Sequence, residues 1–135
     1  MAQASTVYST TNWDRKAWGS DAVAADTNVR LGRIEMTHRF EGDIEGEGIL
    51  QYLFAHDKDS TGGFVGLEKV TGTLHGKSGS FVLQYMGTTI NDRLQQTLVV
   101  VPGSGTGELA GLRGHATMDC ELHLDRYTFI LEYDI

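Results

Sequence analysis

The sequence predicts an all-β fold: a single closed antiparallel β-barrel of about eight strands, occupying residues 1–135 as one domain. Three observations carry this. Glycine is frequent, at 17 of 135 residues, while proline occurs once, which marks bends and turns between ordered segments rather than disorder. Runs of about eight to thirteen residues rich in Val, Ile, Thr, Tyr and Phe recur along the chain, with no helical periodicity between them. Most of the connections are only a few residues long and made of Gly, Asp, Asn and Ser, which is hairpin chemistry. Sequential strands joined by tight turns form an up-and-down sheet, and closure removes the edges that would otherwise aggregate.

The elements follow in order. Thr6–Trp18 is the first strand, and Asp21–Asp26 behind it reads as a longer loop. Val29–Glu41 is turned at Gly42-Asp43 into Ile44–His56. Asp57–Gly63 leads to Phe64–Leu74, and His75–Gly79 leads to Ser80–Ile90. Asn91–Arg93 turns the chain into Leu94–Val101. Thr106–Gly111 is the one place with room for a helical turn, before Leu112–Cys120 and Tyr127–Tyr133 complete the set.

Eleven basic against 18 acidic residues leave a net charge of −7, which repels phosphate backbones and anionic lipid, so neither nucleic acid nor membrane is an expected partner. The single cysteine, Cys120, has no intramolecular partner, and residues 1–6 lack the basic and apolar parts of a signal peptide. Both point to the cytoplasm.

Three motifs look chemical and are better explained by strand geometry. Gly105-Thr106-Gly107-Glu108-Leu109-Ala110 has dinucleotide spacing, but strand-like sequence resumes at Leu112, leaving no helix to receive a pyrophosphate. Asp57-Lys58-Asp59-Ser60-Thr61-Gly62 with Glu68 has calcium-loop spacing, but strands on both flanks carry Glu68 away from the loop. Gly72–Ser78 is one residue too short for a phosphate loop. Cys120 and His123 would point to opposite faces of a strand, so no metal and no cofactor is expected.

Alternation along the strands selects the candidate site. Glu68 shares a face with Phe64, Gly66 and Val70. Gln84 shares one with Val82 and Met86 on the following strand. With both faces inward, a carboxyl and an amide meet in an apolar cavity, an environment suited to proton transfer, and Glu68 becomes the expected catalytic group. Tyr52, Phe64, Gln84, Met86, His38 and Arg113 are the expected ligand-lining residues, with Tyr85 a further candidate. Gly46 and Gly48 leave space beside Tyr52. Asp43, Glu45 and Glu47 read as a solvated face. Ile44–His56 and Ser80–Gly87 are apolar on both sides (Ile49 and Leu53 opposite Leu50 and Phe54; Val82 and Met86 opposite Phe81 and Leu83), which predicts an outer wall shared in a homodimer.

Four stretches resemble a bacterial family known as domain of unknown function 3224. They are Phe40–Gly48, Phe64–Glu68, Gly72–Leu74 with Gly76–Gln84, and Val100–Gly114. The resemblance covers nearly the whole chain, with departures at Met86, at His115–Asp119 and at His123–Tyr127. That family looks like the allene oxide cyclase-type barrels, relatives in shape of lipocalins that include cofactor-free cyclases. The resemblance implies the barrel and supplies no catalytic residues. The expected function is cofactor-independent isomerisation or cyclisation of a small, mostly apolar molecule confined in the barrel. The alternative is a non-catalytic, lipocalin-like carrier using the same cavity.

Overall fold

A computed structural model describes residues 1–18, 23 and 27–135. The loop expected at Asp21–Asp26 lies outside the described residues, Val23 apart. The strands are β1 (Ala2–Ala17), β2 (Arg30–Gly42), β3 (Ile44–His56), β4 (Gly62–Leu74), β5 (Lys77–Ile90), β6 (Arg93–Val100), β7 (Arg113–Glu121) and β8 (Tyr127–Asp134). They form a closed barrel in chain order. Every pairing is antiparallel, and β1 closes the ring by pairing with β8 from Ala2↔Tyr133 to Tyr8↔Tyr127. The expected helical turn is a short 3-10 segment, Gly107–Leu109. No helix among the described residues is long and apolar enough to cross a membrane.

Turn chemistry explains the tight connections. His75 and Gly76 both have positive φ between the paired ends Leu74 and Lys77, as do Asn91 and Asp92 between Ile90 and Arg93. Two consecutive left-handed residues match the twist of the flanking strands, so each hairpin closes in two residues. β5 accordingly begins at Lys77, ahead of the expected Ser80. At the β3–β4 connection, Asp57 Oδ1 accepts the amides of Asp59 (2.8 Å) and Thr61 (3.0 Å). That carboxylate is occupied in shaping a turn.

The barrel has two unlike ends. One is filled by Phe40, Ile44, Leu74 and Phe81, with Leu109 of the 3-10 segment and Leu112 just after it folded in as a plug, all 2 % exposed or less. The other end is open. Seven of the eight seams run along most of their strands, but the β7–β8 register covers only three pairs, Arg113↔Asp134, Gly114↔Tyr133 and His115↔Glu132, all at the plugged end.

Two expectations about faces need correction. Gly46 does not make room for Tyr52. It stands opposite Gly72, each with a strongly positive φ, where a Cβ on either would strike the other strand's backbone within about 2 Å. Gln84 and Met86 point outwards. Glu68 is paired with Leu83, and cross-strand partners share a face, so β5 presents Phe81, Leu83 and Tyr85 inside and Val82, Gln84 and Met86 outside.

Candidate functional site

The open end holds a cavity of about 500 Å3, within the range of small-molecule sites. Its walls come from the mouthward halves of the strands: Tyr8 from β1, Met36 and His38 from β2, Tyr52 from β3, Phe64 from β4, Tyr85 from β5 and Gln96 from β6. Leu122, His123 and Leu124, between β7 and β8, stand at the rim. No Lys, Arg, Asp or Glu lines it among the described residues.

Glu68 lies just behind this lining and is 0 % exposed. Its carboxyl occupies the space over Gly48, where a Cβ would come within 2.2 Å of Oε2; the missing side chain at Gly48 houses the acid. His38 pairs with Gly48 across β2 and β3, and Tyr85 with Gly66 across β4 and β5, which brings both side chains to the carboxyl. The Tyr85 hydroxyl donates to Oε1 of Glu68. His38 Nδ1 lies 2.8 Å from Oε2. That contact is within ion-pair distance but off the line of an N–H···O bond, so neither atom has an aligned hydrogen-bond partner. A buried histidine and carboxyl in close contact, with hydrogen-bonding capacity in hand, form the chemical centre of the cavity.

Next to it is a set of donors with weak acceptors. The Tyr8 ring lies 4.7 Å from the His38 ring, centroid to centroid. The Tyr8 hydroxyl is directed at the thioether of Met118 (3.7 Å), and the Gln96 amide at the same sulfur (3.0 Å) and at the Tyr8 oxygen (3.4 Å). A thioether is a poor acceptor, so a ligand oxygen would displace it. Burial pushes the Tyr8 phenol far above its ordinary range, against the pull of the Gln96 bond. Burial does the same to Tyr85, with the neighbouring Glu68 adding to it, and lifts Tyr52 to about 12. All three remain protonated donors at neutral pH. At the rim, burial and the Arg15 charge hold His56 below its usual range, favouring the neutral ring.

Of the residues expected from sequence, His38, Tyr52 and Phe64 line the cavity and Glu68 backs it. Gln84 and Met86 instead lie on the outer wall, for the register reason given above, and Tyr85 takes the place beside Glu68 expected of Gln84. Arg113 is exposed at the plugged end, paired with Asp134, because it starts β7 immediately after the plug residue Leu112. Tyr8 and Gln96 were not anticipated. Their signal is present in the alternation Ala4-Thr6-Tyr8 and Leu94-Gln96-Leu98, each a polar group in an otherwise inward series. Asp43, Glu45 and Glu47 are solvent-accessible, as expected of a solvated face.

The family described as "Protein of unknown function (DUF3224)" matches residues 4–133. Among solved structures, the chain is similar over 100% of its length to 99% of a protein of Shewanella oneidensis MR-1, with 29% identity and a TM-score of 0.76. That protein is described as one with unknown function from the same family. No curated protein matches the chain.

Proposed function

We propose that this chain, which belongs to the DUF3224 family, binds a small uncharged molecule in the open-end cavity and isomerises or cyclises it without a cofactor. The observation that carries the reading is the His38–Glu68 contact, an ionisable pair buried against a cavity whose lining, among the described residues, holds no Lys, Arg, Asp or Glu. A pure carrier of apolar molecules gains nothing from such a pair, since burying it costs free energy.

The chemistry runs as follows. On ligand binding the imidazole turns Nδ1 into line with Glu68 Oε2, 2.8 Å away, which fixes the ring and leaves Nε2 to the bound molecule. The Tyr8 hydroxyl and Gln96 amide, adjacent to His38, would hold a carbonyl oxygen. His38 Nε2 takes a proton from the carbon next to that carbonyl, the resulting enolate charge rests on the oxygen held by Tyr8 and Gln96, and the proton returns at another carbon. The aromatic walls, Tyr52 and Phe64 with ring centroids 5.3 Å apart among them, suit a planar unsaturated skeleton. The plug leaves a confined space that selects folded conformers. In this reading the protein works in the cytoplasm, consistent with its single unpaired Cys120.

Incubation with a panel of uncharged unsaturated ketones in D2O, followed by NMR, tests the proposal. Deuterium should enter the carbon adjacent to the carbonyl with the wild-type protein, and His38→Gln should stop exchange while the ligand still binds. Binding without exchange in the wild type would refute the enzyme and leave a carrier.

A further inference from the structure

We infer that the outer wall of β3–β6 is the contact face of a homodimer. Six large apolar side chains, Ile49, Leu53, Val65, Leu67, Met86 and Val99, are 40–62% exposed there. The register puts them in adjoining rows: Leu53↔Val65↔Met86 lies beside Gln51↔Leu67↔Gln84↔Val99, which lies beside Ile49↔Lys69↔Val82. They form one continuous patch, and all but Val99 line a trough of about 880 Å3. Half-exposed side chains of this size and number present on the order of 500 Å2 of apolar surface, at the top of what a monomer leaves in water. Two such faces bury about 1,000 Å2, the threshold of a specific interface, before any rim contact is added.

Charge indicates that the occupant is a second copy of this chain. Among the described residues no Asp or Glu lines the trough, and its charged members are the cations Arg33 and Lys69, so acid-to-acid repulsion between two chains of net charge −7 is weak there. Its polar members at the centre are the amides Gln51 and Gln84, each able to donate to and accept from its own counterpart. A two-fold axis laid along the Gln51–Leu67–Gln84 row sets the Ile49–Lys69–Val82 row of one copy against the Leu53–Val65–Met86 row of the other. Lys69 then meets Val65 with its apolar stem instead of meeting Lys69 of the second copy.

Sedimentation equilibrium on the full chain, from low to high micromolar concentration, provides the test. Wild type should weigh twice the 14.8 kDa chain mass. Leu67→Asp places a charge at the centre of the contact and should raise the dimer Kd on the order of a hundredfold. Its circular dichroism should not change, because Leu67 is outside the core. Met86→Lys should act in the same direction, independently of Leu67. Leu67→Cys in a Cys120→Ser background should cross-link to itself under mild oxidation, since it lies on the proposed axis. A monomeric wild type at high micromolar concentration, or a dimer indifferent to both Leu67→Asp and Met86→Lys, would overturn the inference.

Discussion

Gly48→Ala probes the buried acid without touching it. The glycine has no left-handed φ, so alanine is conformationally acceptable, and the perturbation is steric alone. The new Cβ would stand 2.2 Å from Oε2 and 2.7 Å from Cδ of Glu68, and 2.8 Å from Cε2 of Phe40. The carboxyl must retreat by more than an ångström, away from the space between His38 and Tyr85. Overpacking of this kind costs about 1–3 kcal/mol. Losing the Tyr85 hydrogen bond to a carboxylate adds about 1.5–3 kcal/mol. A total of about 2.5–6 kcal/mol corresponds to a fall in Tm of roughly 8–24 °C for a domain of this size. The assay is urea denaturation of Gly48→Ala, Glu68→Ala and the double variant. With the acid gone the Cβ has room, so Gly48→Ala in the Glu68→Ala background should cost about 1 kcal/mol or less, the remainder reporting the Phe40 contact. Equal costs in both backgrounds would refute the assignment of Gly48 as the seat of the carboxyl.

Four further outcomes are expected. Alkaline ultraviolet titration of the folded protein should leave at least three of the five tyrosines un-ionised near pH 11, because burial raises Tyr8, Tyr52 and Tyr85. His56 should titrate by NMR below the ordinary histidine value of 6.5. Because the unfolded chain binds that proton more readily, His56 contributes stability above pH 6.5 that is lost as pH falls from 6.5 through its depressed pKa, a slope His56→Gln should remove. Asp43 is held below the usual aspartate range first by the Ser5 amide and then by His75, so its contribution is present above the unfolded pKa and lost on acidification; its carboxyl carbon should titrate low by NMR, and Asp43→Asn should remove this dependence. Tyr8→Phe should preserve folding, since the lost partners are a thioether and a long contact from the Gln96 amide, which keeps the Met118 sulfur, yet weaken carbonyl ligands at least tenfold in a binding titration.

Much of this architecture was legible from alternation and turn chemistry. β3 runs from Ile44 to His56 as read, because Gly42-Asp43 and Asp57–Gly63 bracket an uninterrupted apolar series. On β4, alternation groups Glu68 with Phe64, Gly66 and Val70, but Val65 and Leu67 make the other face as apolar, so the inward side was an expectation that composition alone did not fix. On β5 the same ambiguity misled, because Val82 and Met86 outside are as apolar as Phe81 and Leu83 inside, so hydrophobicity alone does not orient the strand. The His38–Glu68 contact needs the pairing of His38 with Gly48 and of Gly48 with Val70, and register between strands is a property of the closed sheet. Residues such as Tyr8 and Gln96 meet although 88 positions apart, a proximity that only closure creates.

The short β7–β8 register has a mechanical consequence. A tube stitched along seven seams, and only at the foot of the eighth, behaves like a split sleeve: hoop stiffness at the mouth comes from side chains instead of ladder hydrogen bonds. Met118 and Phe129, buried beside Tyr8, fill that slit, and Met118 is unbranched and pliant. The aperture can thus widen by rotamer changes, at little cost and on a fast timescale, while the plugged end stays rigid. Under the proposed function, molecules bulkier than the resting mouth would pass without the barrel unzipping. Their selection by size would then be soft at the threshold and strict only deep inside, where the Tyr85 hydroxyl holds Glu68 beside His38.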